Sequence, residues 1–298
     1  MPIPQTQLET WSHRGAVTTS SAAYASITHA LEQTSSPVAA LNPRIFLQGS
    51  YANATNIYAD SDIDVVVLYE GTFHKDLSAL SPLAQQTHEL TFGMAGYQWA
   101  DLKRDALAAL RAQYGASAVT LGNKSIKVQT GYGRMTADVV PAIQFRKYAT
   151  YVDPGQFTAH WGIAFHDASG NIIVNYPQYH IDRGEAKNSN ARTRGQYKET
   201  VRVVKNLRNW MVDNRQLAAG AAPSYYLECA LYNVPDSLFI GNFTETIPAV
   251  LNYLLRAPFD TLICQNGVTP LIGNGPTQWP QDNFVAFILA ANTAWDNW

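Results

Sequence analysis

Two aspartates at the start of an apolar segment constrain this chain more than any other feature. In residues 46–68, FLQGSYANATNIYADSDIDVVVL, a β-rich run ends at Gly49-Ser50, and Asp62 and Asp64 open a second run after an eleven-residue spacer. Because side chains alternate across a strand, we expect both carboxylates on one face. Like charges beside an apolar run resist burial unless a cation lies between them. The pattern therefore predicts a metal site, whereas a single Asp-x-Asp pair is more commonly a solvated strand end or a turn.

A third acid completes the predicted site. Asp138 interrupts the apolar run 135–140, and we expect this run to form a strand beside the one that carries Asp62 and Asp64. Carboxylate oxygens favour Mg²⁺, with Mn²⁺ as a substitute, and two such ions would support in-line nucleotidyl transfer. Gly49 would let backbone N–H groups approach phosphate oxygens, and the Ser50 hydroxyl would add a donor.

Hydrophobic periodicity and turn residues predict a sheet followed by helices. We predict helices at residues 5–31 (one long helix, straight or kinked), 97–114, 197–211, 224–232, 246–255 and 283–295. Strands are predicted at residues 44–48, 63–69, 125–130, 135–140, 161–165 and 172–175, and residues 265–280 are predicted to be a long loop. The fold class is α+β, with a mixed-sheet lobe over residues 1–175 and a helical lobe over 176–298.

Composition excludes several classes of protein. The 298 residues are 46% hydrophobic and 15% charged with a net charge of −2, which favours a compact chain without a broad nucleic-acid-binding surface. We see no apolar run of the ~18 residues that a membrane span needs and no secretory leader, so we expect a cytoplasmic protein. Cys229 and Cys264 lack zinc-ligand spacing, and buried free thiols are the simplest expectation.

The motifs themselves resemble a known family. QGS (residues 48–50) followed by DIDV is similar to the signature of polymerase β-like nucleotidyltransferases, and MPIPQTQLETWS, FLQGSYANATNI, DSDIDVVV, IVNYPQYH and PSYYLECALYNVPDS resemble bacterial CD-NTases of clade E, the enzymes of CBASS antiphage defence. The resemblance covers nearly the whole chain. It implies that a polymerase β-like sheet lobe packs on a helical lobe that closes the active-site cage. It also implies synthesis of a cyclic dinucleotide in two successive transfers.

The resemblance also assigns residues beyond the metal triad of Asp62, Asp64 and Asp138. It implies that nucleotide is bound by Gln48, Gly49, Ser50, Asn175, Lys205, Ser224 and Tyr225. In particular, Lys205 and Ser224 would contact the donor triphosphate, and Tyr225 would pack on the donor base. The residues alone leave simpler roles open, namely a solvated helix lysine, a helix N-cap and a core tyrosine.

Asn175 is the candidate for base choice. Its amide offers a donor and an acceptor side by side, which can match N3–H and O4 of uracil. In the family that this chain resembles, Asn at this place accepts a pyrimidine, so we expect UTP and ATP as substrates and cyclic UMP–AMP as the product. Cyclic di-UMP and a purine-containing product are the alternative products. Asn175 could also have a purely structural role, in which it only caps the end of the strand.

Partners follow from the resemblance as well. We expect a monomer whose product reaches a separate effector protein, with no DNA activator and no membrane. The bulky end TAWDNW is unlike the small terminal residue used in ubiquitin-like conjugation, so we do not expect that modification. Two other kinds of function remain to be tested. The chain could be a tailing or antibiotic-modifying transferase, or it could be a catalytically silent nucleotide-binding module.

Overall fold

The computed structural model describes residues 2–15, 17–58, 62–131 and 135–298. Contacts divide these residues into two compact units. The first, which we call the sheet unit, consists of the described residues within Thr18–Gln48 and Ser61–Pro177. The second, which we call the helical unit, consists of the described residues within Met1–Val17, Gly49–Asp60 and Gln178–Trp298. The expected lobe boundary after residue 175 falls two residues before one of these divisions. Two N-terminal segments, however, group with the C-terminal helices.

The sheet unit contains one mixed sheet. The described strands are β1 Arg44–Gln48, β2 Asp62–Asp76, β3 Val119–Leu121, β4 Ile126–Gln129, β5 Thr136–Asp153, β6 Gln156–His166 and β7 Ile172–Asn175. Their order is β1-β2-β5-β4-β3, and β6 pairs with both β5 and β7. β5 is the centre of the sheet, since β2 runs parallel along one edge while β4 and then β6 pair antiparallel along the other. The prediction that the Asp138 strand lies beside the Asp62–Asp64 strand is confirmed.

The described α-helices are divided between the two units. Their bounds are α1 Gln5–Ser12, α2 Thr18–Glu32, α3 Gly49–Ala52, α4 Pro82–Thr91, α5 Trp99–Tyr114, α6 Pro177–Asn188, α7 Gln196–Asp213, α8 Ser224–Tyr232, α9 Phe243–Arg256 and α10 Gln281–Asp296. In the sheet unit, α2 contacts β2 and β5, and α5 contacts β3, β4 and β5. Within the described residues, no helix combines the length and the apolar character that crossing a membrane requires.

The central helix of the helical unit is α7. It contacts α1, α8, α9 and α10, and its residues Val204 and Leu207 are buried in the same core as Ile3 and Leu8 from the N-terminal segment. The indole of Trp279, fully buried in this core, donates to the Ala221 carbonyl at 2.7 Å. The N-terminal residues therefore contribute side chains to the core of a unit whose other core residues follow residue 177.

The prediction of one long first helix is wrong. Residues 5–31 instead form two helices, α1 in the helical unit and α2 in the sheet unit. Gly15 lies between them, and its N–H donates to the Asn56 carbonyl at 3.1 Å. A Cβ on Gly15 would lie 2.3 Å from the Ile57 carbonyl oxygen, so this approach of two backbone segments requires glycine.

Two strands are longer than predicted, and the structure contains helices that were not predicted. β2 and β5 continue well past the predicted ends at residues 69 and 140, and a bulge between Tyr69 and Phe73 lets β2 stay paired. α4 and α6 were not predicted, although Ser81 caps α4 by accepting from the Ala84 N–H and Pro82 occupies its first turn. The predicted loop 265–280 is confirmed as irregular, with isolated bridges at Ile263–Pro270 and Ile272–Trp279.

Gly15→Ala should destabilise the protein, because the added methyl group would overlap the Ile57 carbonyl. We expect a loss of about 1–3 kcal/mol in the free energy of unfolding, measured by urea denaturation. Gly93→Ala is the matched control, since nothing lies within 4 Å of a Cβ built there. Equal stability of the two variants would contradict a close approach at Gly15.

Candidate active site

The predicted carboxylates belong to a row of paired residues that runs across four neighbouring strands of the sheet. The Cα of Asp64 pairs with Gln48 on β1 and with Asp138 on β5, and Asp138 pairs in turn with Lys127 on β4. Paired residues of neighbouring strands point to the same side, about 4.8 Å apart in the hydrogen-bonding direction. Asp62, two residues before Asp64, therefore shares this face. The sheet thus brings together the three predicted acids and Gln48.

The carboxylates have partners within the sheet unit. Asp138 Oδ1 accepts from Ser125 Oγ at 2.9 Å and lies 3.8 Å from Lys127 Nζ. Asp62 accepts from the Thr136 hydroxyl of β5. Asp62 is exposed, and Asp64 and Asp138 are half-buried, so substrates or ions could reach all three from solvent.

The donor chemistry suits Mg²⁺ or Mn²⁺, since aspartate oxygens are the ligands these ions prefer. The strand register supplies the positions, but the side-chain conformations do not by themselves form a site. Among the described residues, no three His, Cys, Asp or Glu side chains form a group that could hold a metal. A metal that coordinates Oδ1 of Asp138 would meet Ser125 Oγ and Lys127 Nζ beside that oxygen.

Asn175 lies on the same face of the sheet, further along it. It ends β7 and pairs with Ile163, which pairs with Gln144 of β5, six residues beyond Asp138. At about 3.3 Å per residue this row is ~20 Å along the strand from the carboxylate row, less if the sheet curves. The structure therefore does not group Asn175 with the acids, and a base rather than a reacting phosphate would have to reach it.

Gly162 lets the backbone of Asn175 approach β6. A Cβ on Gly162 would lie 2.6 Å from the Asn175 carbonyl oxygen and 3.0 Å from the ring of Tyr176. Asn175 itself is half-buried, so part of its side chain is open to solvent. The packing against Gly162 fixes the position of the Asn175 backbone. This position is compatible with recognition of a base and equally with a role as the cap of the strand end.

The predicted Gly-Ser turn opens a short helix in the helical unit. Gly49 has a φ of +66°, a conformation that favours glycine, and Ser50 is the second residue of α3. The Gly49 carbonyl accepts from Asn53 Nδ2 at 2.9 Å, and the Ser50 carbonyl accepts from the Thr55 N–H at 2.9 Å. These bonds fold residues 49–55 into a compact turn.

Lys205 contacts this turn directly. Its side chain is fully buried, and its ammonium donates to the Thr55 carbonyl at 2.9 Å. The alternative of a solvated helix lysine is therefore wrong. One turn of α7 earlier, the Arg202 guanidinium donates to the Ala54 carbonyl at 2.6 Å and also to the Ser12 carbonyl. In this structure Lys205 supports the segment after Ser50, and its contact with a triphosphate stays a prediction.

Glu228 is the acid of this buried network. Its carboxylate accepts from Thr55 Oγ1 at 2.5 Å and lies 3.1 Å from His180 Nε2. Burial alone would raise the pKa of Glu228, but hydrogen bonds from His180 and Thr55 and the charge of Lys205 lower it. Glu228 is therefore ionised, and it links helices α6 and α8 to the Gly-Ser turn.

Ser224 and Tyr225 begin α8. The N-cap residue is Pro223, so the alternative of an N-capping role for Ser224 is wrong; its hydroxyl instead accepts from Arg208 Nη2 at 3.3 Å. Tyr225 stacks on His180 with ring centroids 5.1 Å apart, and it is 39% exposed. It is therefore not a core tyrosine, and its exposed area could receive a base, as predicted from the resemblance.

Sequence reasoning missed three residues of these sites. Ser125 and Lys127 could have been found from the alternation of β4, which places Lys127 and Gln129 on the face opposite Ile126 and Val128. Glu228 gave no local signal, because its partners lie 48 and 173 residues away along the chain.

Glu228→Gln should lower stability at neutral pH, because it removes a buried charge from its donors. We expect a loss of about 1–2 kcal/mol in the free energy of unfolding. The lowered pKa means that this contribution is complete above the ordinary value of 4.5 and is lost as the pH falls through the lower pKa of the folded protein. The difference in the free energy of unfolding between the variant and the parent should therefore shrink as the pH falls below 4.5, in urea unfolding measured across pH.

Glu32→Gln, an exposed change at the end of α2, is the control and should show no such pH-dependent difference. A difference in the free energy of unfolding between Glu228→Gln and the parent that does not shrink as the pH falls below 4.5 would show that the charge of Glu228 is not what stabilises the network.

Comparison with known proteins supports a nucleotidyltransferase. The family model of the cGAS/DncV-like nucleotidyltransferase C-terminal helical domain matches residues 182–296. The chain is 40% identical over 306 residues to the cyclic UMP-AMP synthase of Rhodothermus marinus (strain SG0.5JP17-172), with 100% of this chain and 99% of the relative covered. It is 34% identical to the cyclic nucleotide synthase CdnE01 of Staphylococcus haemolyticus, with 100% of both covered.

A solved structure agrees with these sequence relatives. The Rhodothermus marinus CdnE c-UMP-AMP synthase with Apcpp and Upnpp superimposes with a TM-score of 0.89 at 40% identity, covering 100% of this chain and 98% of that one. The similarity extends over both units and includes the strands that carry the three acids. The chain is therefore an enzyme of the CD-NTase family of cGAS/DncV-like nucleotidyltransferases.

Proposed function

We propose that this enzyme joins UTP and ATP into cyclic UMP–AMP by metal-dependent nucleotidyl transfer. The observation that carries the chemistry is the parallel register of β2 and β5, which pairs Asp64 with Asp138 and leaves Asp62 on the same face. The choice of nucleotides is supported by the 40% identity to a cyclic UMP-AMP synthase and by an asparagine at residue 175. Cyclic di-UMP and a purine-containing product are the alternatives.

The three aspartates would hold two Mg²⁺ or Mn²⁺ ions. Such ions supply activation of the attacking hydroxyl and charge stabilisation of the leaving pyrophosphate. The residues themselves contribute position: β-sheet pairing fixes the backbone of Asp64 and Asp138, so their carboxylates need only rotate to reach a shared ligand. Gln48, paired with Asp64, would bind nucleotide next to them.

The helical unit would bind the triphosphate and the donor base. Gly49 and Ser50 offer backbone N–H groups and a hydroxyl, and the bonds from Lys205 and Glu228 keep the following residues in place. The Ser224 hydroxyl and the N-terminus of α8 supply further donors that suit phosphate oxygens. Tyr225, backed by His180 on one side, presents its exposed area for stacking on a base.

The wider role is also a proposal. The cyclic product would act as a second messenger of CBASS defence and reach a separate effector, and the enzyme would work as a monomer without a DNA activator. A catalytically silent binding module is disfavoured, because all three acids are present on one face of the sheet.

Purified protein with Mg²⁺ or Mn²⁺ should convert UTP and ATP together into a phosphatase-resistant product with the mass of cyclic UMP–AMP. Asp62→Asn with Asp64→Asn should lower turnover at least about a thousandfold, since removing metal ligands forfeits several kcal/mol of transition-state stabilisation. Labelled triphosphates and mass spectrometry identify the product. Asp213→Asn, an exposed acid at the end of α7, is the control and should stay active.

Two results would contradict this function. A double variant as active as the parent would remove the metal mechanism. A phosphatase-sensitive linear product would instead indicate a tailing enzyme, and a labelled small molecule other than a nucleotide would indicate an antibiotic-modifying transferase.

Asn175→Ser should shift substrate use from UTP towards purine triphosphates. The amide would no longer match N3–H and O4 of uracil, and loss of such a paired contact typically changes preference by roughly tenfold or more. Competition between labelled UTP, ATP and GTP measures the ratio. Asn214→Ser, exposed after α7, is the matched control. If Asn175→Ser uses UTP and purine triphosphates in the same ratio as the parent, Asn175 does not select the base and only caps the end of the strand.

A further inference from the structure

We propose that Lys127 is a counter-ion of Asp138 and that it thereby weakens binding of divalent cations to the carboxylate row. The inference rests on the proposed function, because it takes the row of Asp62, Asp64 and Asp138 to be the metal site. It adds a residue that sets when the site accepts a cation.

The contacts of Asp138 carry the inference. Its Oδ1 accepts from Ser125 Oγ at 2.9 Å and lies 3.8 Å from Lys127 Nζ, so one carboxylate oxygen already has a hydroxyl and an ammonium group beside it. Both partners come from the same edge of β5, where Lys127 of β4 pairs with Asp138 in the antiparallel ladder. A hard cation at this oxygen would meet the positive charge of Lys127.

The sequence of β4 fixes Lys127 on this face. Ile126 and Val128 are buried on one side of the strand, and Lys127 and Gln129 alternate to the other. The Cβ of Lys127 cannot leave this face of the strand without exposing Ile126 and Val128. The packing of its neighbours therefore fixes the backbone of Lys127 beside Asp138, and the 57% exposed side chain can turn from Asp138 towards another anion.

The consequence is competition between two cations for one carboxylate. Lys127 compensates the charge of Asp138 while no substrate is present, and it releases Asp138 when a cation binds there. Once released, the ammonium can pair with a phosphate oxygen of a nucleotide on the same face. Binding of metal without nucleotide should accordingly be weak, and loss of the lysine should strengthen it.

Lys127→Gln should tighten Mn²⁺ binding to the nucleotide-free protein, measured by electron paramagnetic resonance of the free ion. Because exposed ion pairs are weak, we expect a roughly three- to fivefold lower Kd at low ionic strength, with a smaller difference at high salt. Lys127→Arg keeps the charge and should bind Mn²⁺ like the parent. Circular dichroism and urea unfolding confirm that each variant is folded.

Two matched variants separate the possible outcomes. Lys124→Gln removes the same charge three residues away, beside Asp167, and should leave the Kd unchanged. Asp138→Asn should weaken binding in the parent. If Asp138→Asn weakens binding but Lys127→Gln behaves like the parent, or Lys124→Gln tightens it equally, the role of Lys127 is overturned. If Asp138→Asn has no effect, the metal site of the proposed function fails with it.

Discussion

Parallel pairing between β2 and β5 is the constraint on which the site depends. It places Asp64 beside Asp138 through backbone hydrogen bonds, so the positions of two acids on distant parts of the chain do not rely on their own side-chain contacts. The apolar residues that follow on the same face, among them Val66 and Val140, are buried in one cluster. A shift of one residue in either strand would place Asp64 and Asp138 on opposite faces of the sheet, so the site requires this register.

A second constraint acts on the Gly-Ser turn. Glu228, Lys205 and Arg202 all contact residues 54–55, and each is a charged group buried among donors and acceptors. Buried charges are tolerated only when hydrogen bonds satisfy them, and removal of one partner leaves the others uncompensated. The turn is therefore held by α7 through its backbone carbonyls and by α8 through the Thr55 hydroxyl. Such support suits a segment proposed to meet the phosphates of a substrate.

Local patterns predicted the acids and most helices, whereas long-range contacts decided the rest. Asp62, Asp64 and Asp138 could be placed because strand alternation is a local rule. The break at Gly15 could not, since it depends on the carbonyl of Ile57. The burial of Lys205 could not be predicted either, because its acceptor, the Thr55 carbonyl, lies 150 residues away along the chain. No periodicity in α7 distinguishes this lysine from a solvated one.

The interleaving of the two units limits how the gene could be divided. The helical unit takes core residues Ile3 and Leu8 from the N-terminus, and it takes Thr55, a hydrogen-bond partner of Glu228, from its second segment. A fragment that begins near residue 178 would lack these segments, so it would expose apolar surface and leave buried charges without acceptors. Residues 178–298 expressed alone should therefore be insoluble, although the break falls at the apparent boundary between the units.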